Sequence, residues 1–162
     1  MSLARVNKNI HNLSLRLHGT GNLKKVPIIL LDSKGERLEA VVDLINHPEN
    51  KIYFWYRKGK GVNEQYLWLK ENLQEKLRIL GINHIILYIW LGTCDLTVKS
   101  DQFIKICSEN FSAVHCLCKG LKDIVDYIRQ FPTITLVYLE IPYYSIYLWN
   151  LIMRILENKT LF

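Results

Sequence analysis

Apolar residues occur in short continuous runs that alternate with stretches of helical spacing. Val26-Pro-Ile-Ile-Leu-Leu31 is one such run, the pattern of a strand buried on both faces. From Glu36 to Ile45 the apolar positions (Leu38, Val41, Val42, Ile45) take helical spacing, and His47-Pro48 ends it. Residues Lys51 to Tyr56 are β-branched and aromatic and predict a second strand. Arg57-Lys-Gly-Lys-Gly61 then predicts a loop, with Asn63 as N-cap of a helix from about Glu64 to Leu80. Leu69, Leu73, Leu77 and Leu80 share one face of that helix, and Gly81 stops it. His84 to Leu91 reads as a third strand. A helix starts at Ser112 or Ala113 and reaches Gln130, with Val114, Leu117, Leu121, Ile124, Val125 and Ile128 on its apolar side. Thr133 to Ile141 is the last strand, closed by Pro142, and a final helix starts near Ser145 and fades by Asn158.

Strand and helix thus alternate four times, the order of an α/β sheet covered by helices on both faces. The strands are too continuously apolar to leave one face wet. The expected fold class is α/β, a three-layer α/β/α flavodoxin-like sandwich with a mainly parallel sheet. The chain has 162 residues, 49% hydrophobic and 22% charged, which fits one compact domain and excludes a disordered or collagen-like polymer. Its net charge is +6, and Arg5, Lys8, Arg16, Lys24 and Lys25 supply five positive charges in a stretch without Asp or Glu. Residues 1–25 therefore read as a basic N-terminal extension ahead of a near-neutral domain at 26–162. Asn, His and Arg interrupt the apolar residues of the first 25, which therefore lack a signal-peptide core, and no uncharged apolar run is long enough for a membrane span. Cys94, Cys107, Cys116 and Cys118 form no CxxC pair, and Cys116 and Cys118 read as buried thiols on a helix. No disulfide, metal or cofactor is called for, and an intracellular protein, cytoplasmic or nuclear, is expected.

In parallel sheets ligands bind beyond the carboxyl ends of the strands. Asp32-Ser33-Lys34-Gly35 follows the first strand, Arg57 to Gly61 the second, Gly92-Thr93-Cys94-Asp95 the third, and Glu140-Ile-Pro142-Tyr143-Tyr144-Ser145 the last. Polar residues at these points serve either a site or the turns themselves, since Asp commonly bonds the backbone two residues on. Asp32, Asp95 and Glu140 could converge on Mg²⁺ for phosphoryl transfer, with the Arg57/Lys58/Lys60 loop holding phosphate. The same basic loop, beside Tyr53, Phe54, Trp55 and Tyr56 and together with the extension, could instead bind nucleic acid. The aromatics of the strand equally fit packing against helices, and Tyr143, Tyr144, Tyr147 and Trp149 fit core or a homodimer surface.

An apolar strand ending in Asp32-Ser33-Lys34-Gly35-Glu36-Arg37-Leu38 resembles the first block of the SGNH (GDSL-like) hydrolase superfamily. Gly92-Thr93-Cys94-Asp95-Leu96 resembles its third block, and with Glu140-Ile-Pro-Tyr-Tyr-Ser-Ile before Trp149-Asn150 the chain is similar to the divergent SGNH-like domains of animal transposable elements. The resemblance spans roughly 26–150 and implies hydrolysis of a small ester or acyl substrate. Ser33 takes the nucleophile position, Gly59 or Gly61 the loosely placed second-block glycine, and Gly92 and Cys94 the third block. Asp32, Gly35, Thr93, Asp95 and Glu140 fill out the implied pocket. The family's oxyanion-binding Asn is Cys94 here, and a thiol is a poor substitute for an amide donor. The five histidines, His11, His18, His47, His84 and His115, all precede the last strand, so the family's Asp-x-x-His block with its general base is missing. A serine without a base is a weak nucleophile. The expectation is a degenerate domain, or one lacking the C-terminal block, without ordinary esterase activity. A nucleic-acid or protein binding module of a mobile-element-type protein and an Mg²⁺-dependent enzyme remain as alternatives.

Overall fold

A computed structural model of the chain describes residues 25–42, 51–81, 84–107, 111–140 and 146–159, the side chains of 155–159 excepted. Outside the described residues lie the basic extension apart from Lys25, the His47-Pro48 helix stop, the histidines His11, His18 and His47, and Tyr143, Tyr144 and Ser145. The elements run β1 (Val26–Leu31), α1 (Gly35–Val42), β2 (Tyr53–Tyr56), α2 (Val62–Leu80), β3 (Ile85–Trp90), α3 (Thr93–Leu96), β4 (Thr97–Ser100), β5 (Phe103–Ile106), α4 (Ser112–Ile128), β6 (Ile134–Tyr138) and α5 (Ile146–Lys159).

The four apolar runs form one parallel sheet in the order β2-β1-β3-β6. Helices flank it, giving a three-layer α/β/α fold. Strand alternation assigns the two faces. Ile28, Leu30, Trp55, Ile85, Leu87 and Ile89 point to one side, where they form a single core with Val62, Leu69 and Leu73 of α2 and Leu117, Ile124 and Ile128 of α4. On the other side α1 lies against β2 so closely that a Cβ on Gly35 would overlap the Tyr56 ring. Cover there is thinner: Ile86, Tyr88 and Trp90 stay half-buried while their β3 neighbours are buried. The helix α1 on that side has only 8 residues, against 19 and 17 for α2 and α4. The strands are therefore less evenly covered than their composition predicts.

Three local expectations need correction. Asn63 does not cap α2; the helix starts at Val62 behind Gly61, whose N–H donates to Glu64 Oε2 at 3.1 Å. Cys116 and Cys118 are exposed, because the buried stripe of α4 runs through Leu117, Gly120, Ile124 and Ile128. The segment after Cys94, given no element from its pattern, forms α3 and the antiparallel hairpin β4–β5, pairing Thr97 with Ile106 and Ser100 with Phe103. Asp101 at the hairpin tip has φ 53°, a left-handed conformation that Asp tolerates better than most residues.

Side chains of α5 hold the hairpin in place. Asn150 Nδ2 donates to the Ile104 carbonyl and its Oδ1 accepts the Ile104 N–H, both at 2.9 Å, as a neighbouring strand would. Trp149 Nε1 donates to the Gln102 carbonyl at 2.9 Å. Hairpin and helix together become one wall of a cleft over the carboxyl ends of β1 and β3.

Candidate functional site

The sheet order reverses direction between β1 and β3: the chain steps outward from β1 to β2 and then returns past β1 to β3. Connections leave these two strands on opposite faces, and the divergence opens a crevice at their carboxyl ends. Ser33 and the Thr93–Cys94 pair sit at that crevice. Ser33 is exposed, and its Oγ lies 3.8 Å from Cys94 Sγ, with either atom able to donate. A cleft of about 730 Å³ opens here. Ser33 and Lys34 come to it from the turn after β1, Glu36 and Arg37 from α1, Lys58 and Gly59 from the loop after β2, and Thr93 and Cys94 from α3. Thr97, Lys99 and Ile104 of the hairpin and Trp149 of α5 complete the lining.

Beneath Ser33 the Asp32 carboxylate is 1% exposed. Its Oδ1 accepts the Lys34 N–H at 3.2 Å, and its Oδ2 pairs with Lys34 Nζ at 3.5 Å. Lys34 Nζ also donates to Thr93 Oγ1 and lies 5.8 Å from the centre of the Trp90 ring. Lys34 therefore ties the β1 turn to the β3 turn and neutralises a carboxylate that burial alone would disfavour. Nothing in the pattern Asp-Ser-x-Gly singled this lysine out.

Asp95 faces the opposite way. Its Oδ1 accepts the Val62 N–H at 2.9 Å, capping α2 from a distant part of the chain. A Cβ on Gly61 would lie 2.5 Å from that oxygen, so glycine at 61 makes room for the cap and does not line the cleft; Gly59 does. Gly92 is buried with φ 125°, a conformation reserved for glycine, and turns the chain from β3 into α3. Glu140 is exposed beyond β6, where its carbonyl accepts Trp90 Nε1 at 3.0 Å. Among the described residues no group of three His, Cys, Asp or Glu side chains could hold a metal ion. The Mg²⁺ triad of Asp32, Asp95 and Glu140 is thus not assembled, because the first is held by Lys34 and the second is turned to Val62.

Gln65 is a buried polar neighbour of the β1 turn that the pattern reading missed. It is fully buried, and its Nε2 donates to the Leu31 carbonyl at 2.9 Å, fixing α2 to the end of β1. The signal was present: Val62, Gln65, Leu69 and Leu73 occupy one helical stripe with a single amide among aliphatics. Three buried oxygens in this region accept no hydrogen bond among the described residues: Gln65 Oε1, Asp95 Oδ2 and Asp32 Oδ2, the last met only by its ion pair with Lys34.

Burial pushes the Asp95 carboxyl above its ordinary range, opposed by the Val62 N–H and reinforced by the nearby charges of Glu64 and Asp32. The native state then holds this proton more tightly than the unfolded chain. Stability from this group falls as pH rises from the ordinary carboxylate range through the raised value, and levels off above it. Asp95→Asn keeps an acceptor for Val62 and removes the charge. The stability of Asp95→Asn relative to the parent should therefore be greater at pH about 7 than at pH about 3, as read by urea unfolding at both.

The basic loop after β2 is largely occupied. Lys58 Nζ pairs with Glu36 at 2.8 Å, Lys60 with Glu64 at 3.8 Å, and Arg57 Nη1 donates to the Glu64 carbonyl at 3.5 Å. Trp55 is buried edge-on against Trp68, ring centres 5.9 Å apart, and Tyr53, Phe54 and Tyr56 are half-buried. Trp55 thus packs into the core, and the other three aromatics of the strand are partly covered.

Comparison of the chain with protein-family models, with curated proteins and with solved structures finds no match. No helix among the described residues is long and apolar enough to cross a membrane. Neither histidine within the described residues lines the cleft: His84 precedes β3 at the amino edge of the sheet, and His115 is exposed in the first turn of α4.

Proposed function

We propose that the chain is an SGNH-hydrolase-like domain whose cleft binds an ester or acyl group without turning it over at an ordinary serine-hydrolase rate. One observation carries this reading. Ser33 after β1, Gly59 after β2 and Cys94 after β3 line a single cleft, in the order and at the strand ends where the nucleophile and oxyanion blocks belong. Gly59 has φ 66°, which frees the loop backbone to turn toward the cleft. Ser33 stands at a strand-to-helix turn, where its own backbone N–H is the group that can receive a developing oxyanion, since the Lys34 and Gly35 N–H groups are bonded to Asp32.

The surroundings of Ser33 among the described residues support the non-hydrolytic part of this reading. Ser33 Oγ has a thiol beside it where a base would have to accept its proton. Lys34, the next residue along the chain, is engaged by Asp32 and Thr93. Oxyanion donors without a base still bind a carbonyl and leave a residual acceleration only.

Hydrolysis of a short-chain activated ester by the full chain, beside Ser33→Ala, tests the reading. Equal rates in the two proteins, near the uncatalysed rate, are expected. A rate that falls by about a hundredfold or more on Ser33→Ala would overturn the non-hydrolytic reading and require a base for Ser33.

A further inference from the structure

The walls of the cleft differ sharply in charge from a site built for a neutral ester. Lys34, Arg37, Lys58 and Lys99 line it, against one carboxylate, Glu36. Two of the four cations are balanced: Lys34 by Asp32 at 3.5 Å and Lys58 by Glu36 at 2.8 Å. Arg37 and Lys99 form no ion pair among the described residues, and both are exposed on the cleft side. They enter from different walls, Arg37 on α1 and Lys99 on β4. Like charges facing one cavity repel, an arrangement that an anionic occupant relieves, and a concave low-dielectric site concentrates their field. Ile104 and Trp149 give the same cleft an apolar side. Its volume of about 730 Å³ lies in the range of small-molecule sites.

From this we infer that the cleft selects an ester or acyl ligand bearing a phosphate or carboxylate group, its negative end held by Arg37 and Lys99 and its apolar part against Ile104 and Trp149. The inference rests on the reading of the cleft given above and adds the charge of the ligand to it. A guanidinium binds planar oxyanions through two parallel N–H groups, and Lys99 supplies a second, mobile ammonium.

Three probes of similar size separate the contributions: phenyl phosphate, benzoate and methyl benzoate, each titrated into the full chain while backbone amide resonances are followed. Phenyl phosphate or benzoate should shift the amides of Ser33, Lys34, Gly59 and Cys94 with at least about tenfold higher affinity than methyl benzoate, and should weaken as salt is raised. Binding by both anions identifies a general oxyanion site, and binding by phenyl phosphate alone identifies a phosphate group as the recognised end. Arg37→Gln and Lys99→Gln, both at exposed positions, should each weaken the anion about tenfold while leaving methyl benzoate unchanged. Methyl benzoate binding as tightly as the anions at those amides would overturn the charge selection and leave the ester-binding reading standing. Shifts from none of the three probes at those amides would overturn both.

Discussion

Leu87→Ala should lower the free energy of unfolding by about 2–5 kcal/mol, a large part of the about 5–15 kcal/mol typical of a domain. Leu87 is fully buried at the middle of β3, itself an interior strand, and stands in register with Ile28 on one side and Leu136 on the other. Its side chain joins the core shared by α2 and α4, and the paired backbone of two neighbouring strands resists collapse into the space left by truncation. Ile79→Ala is the control: Ile79 is 66% exposed on α2, and its loss should change stability by no more than about 0.5 kcal/mol. Urea unfolding of the two variants beside the parent measures both. Equal small effects would place the core elsewhere.

Gly120→Ala should destabilise by about 1–3 kcal/mol, the reverse of its effect in an isolated helix, where alanine gains close to 1 kcal/mol over glycine. A Cβ at Gly120 would overlap Val62 Cγ1 and lie 2.8 Å from Asn63 Oδ1. Val62 has little room to yield: it is 1% exposed, and its own N–H is held by Asp95. The first turn of α2 is therefore pressed between α4 and the cap from α3, and pushing it outward disturbs the floor of the cleft through Gln65 and Leu31. Cys118→Ala, at an exposed position of the same helix, should be nearly neutral. A stabilised Gly120→Ala in thermal or urea unfolding would contradict the close approach of the two helices.

The hydrophobic pattern carried the layered architecture because the sheet strands are continuous apolar runs bounded by turn residues. Val26–Leu31 and Ile85–Trp90 read as strands for the same reason that they pair at the sheet centre. The hairpin escaped notice because its strands have four residues each, with Lys99 and Lys105 interrupting the apolar spacing, and its order depends on Asn150 and Trp149 far along the chain. Cys116 and Cys118 read as core because the apolar side of α4 is broad; the face was fixed by Gly120, where α2 comes closest, and glycine gives no hydrophobic signal.

Within the site, position along the strands was legible and direction was not. Ser33, Gly59, Thr93 and Cys94 could be placed at strand ends from pattern and resemblance, and they line one cleft. Asp95 could be read as a metal ligand or as a turn cap. Its contact with Val62, 33 residues away, is a product of tertiary packing that no local spacing encodes. The same holds for Lys34, whose partners on both turns exist only once β1 and β3 are adjacent. Chemistry that depends on one strand end was visible; chemistry that depends on two strand ends meeting was not.

Cys94 offers a direct reporter of the central claim, since it is half-buried in the cleft while Cys116 and Cys118 are exposed on α4 as internal references. The measurement is the rate of iodoacetamide alkylation at each of these cysteines, followed by peptide mass spectrometry, with and without methyl benzoate at increasing concentration. An ester seated beside Ser33 should slow alkylation of Cys94 in a saturable way and leave Cys116 and Cys118 unchanged. Alkylation of Cys94 that does not respond to the ester, or slows only in step with the two references, would contradict the assignment of this cleft as the site where an ester or acyl group binds.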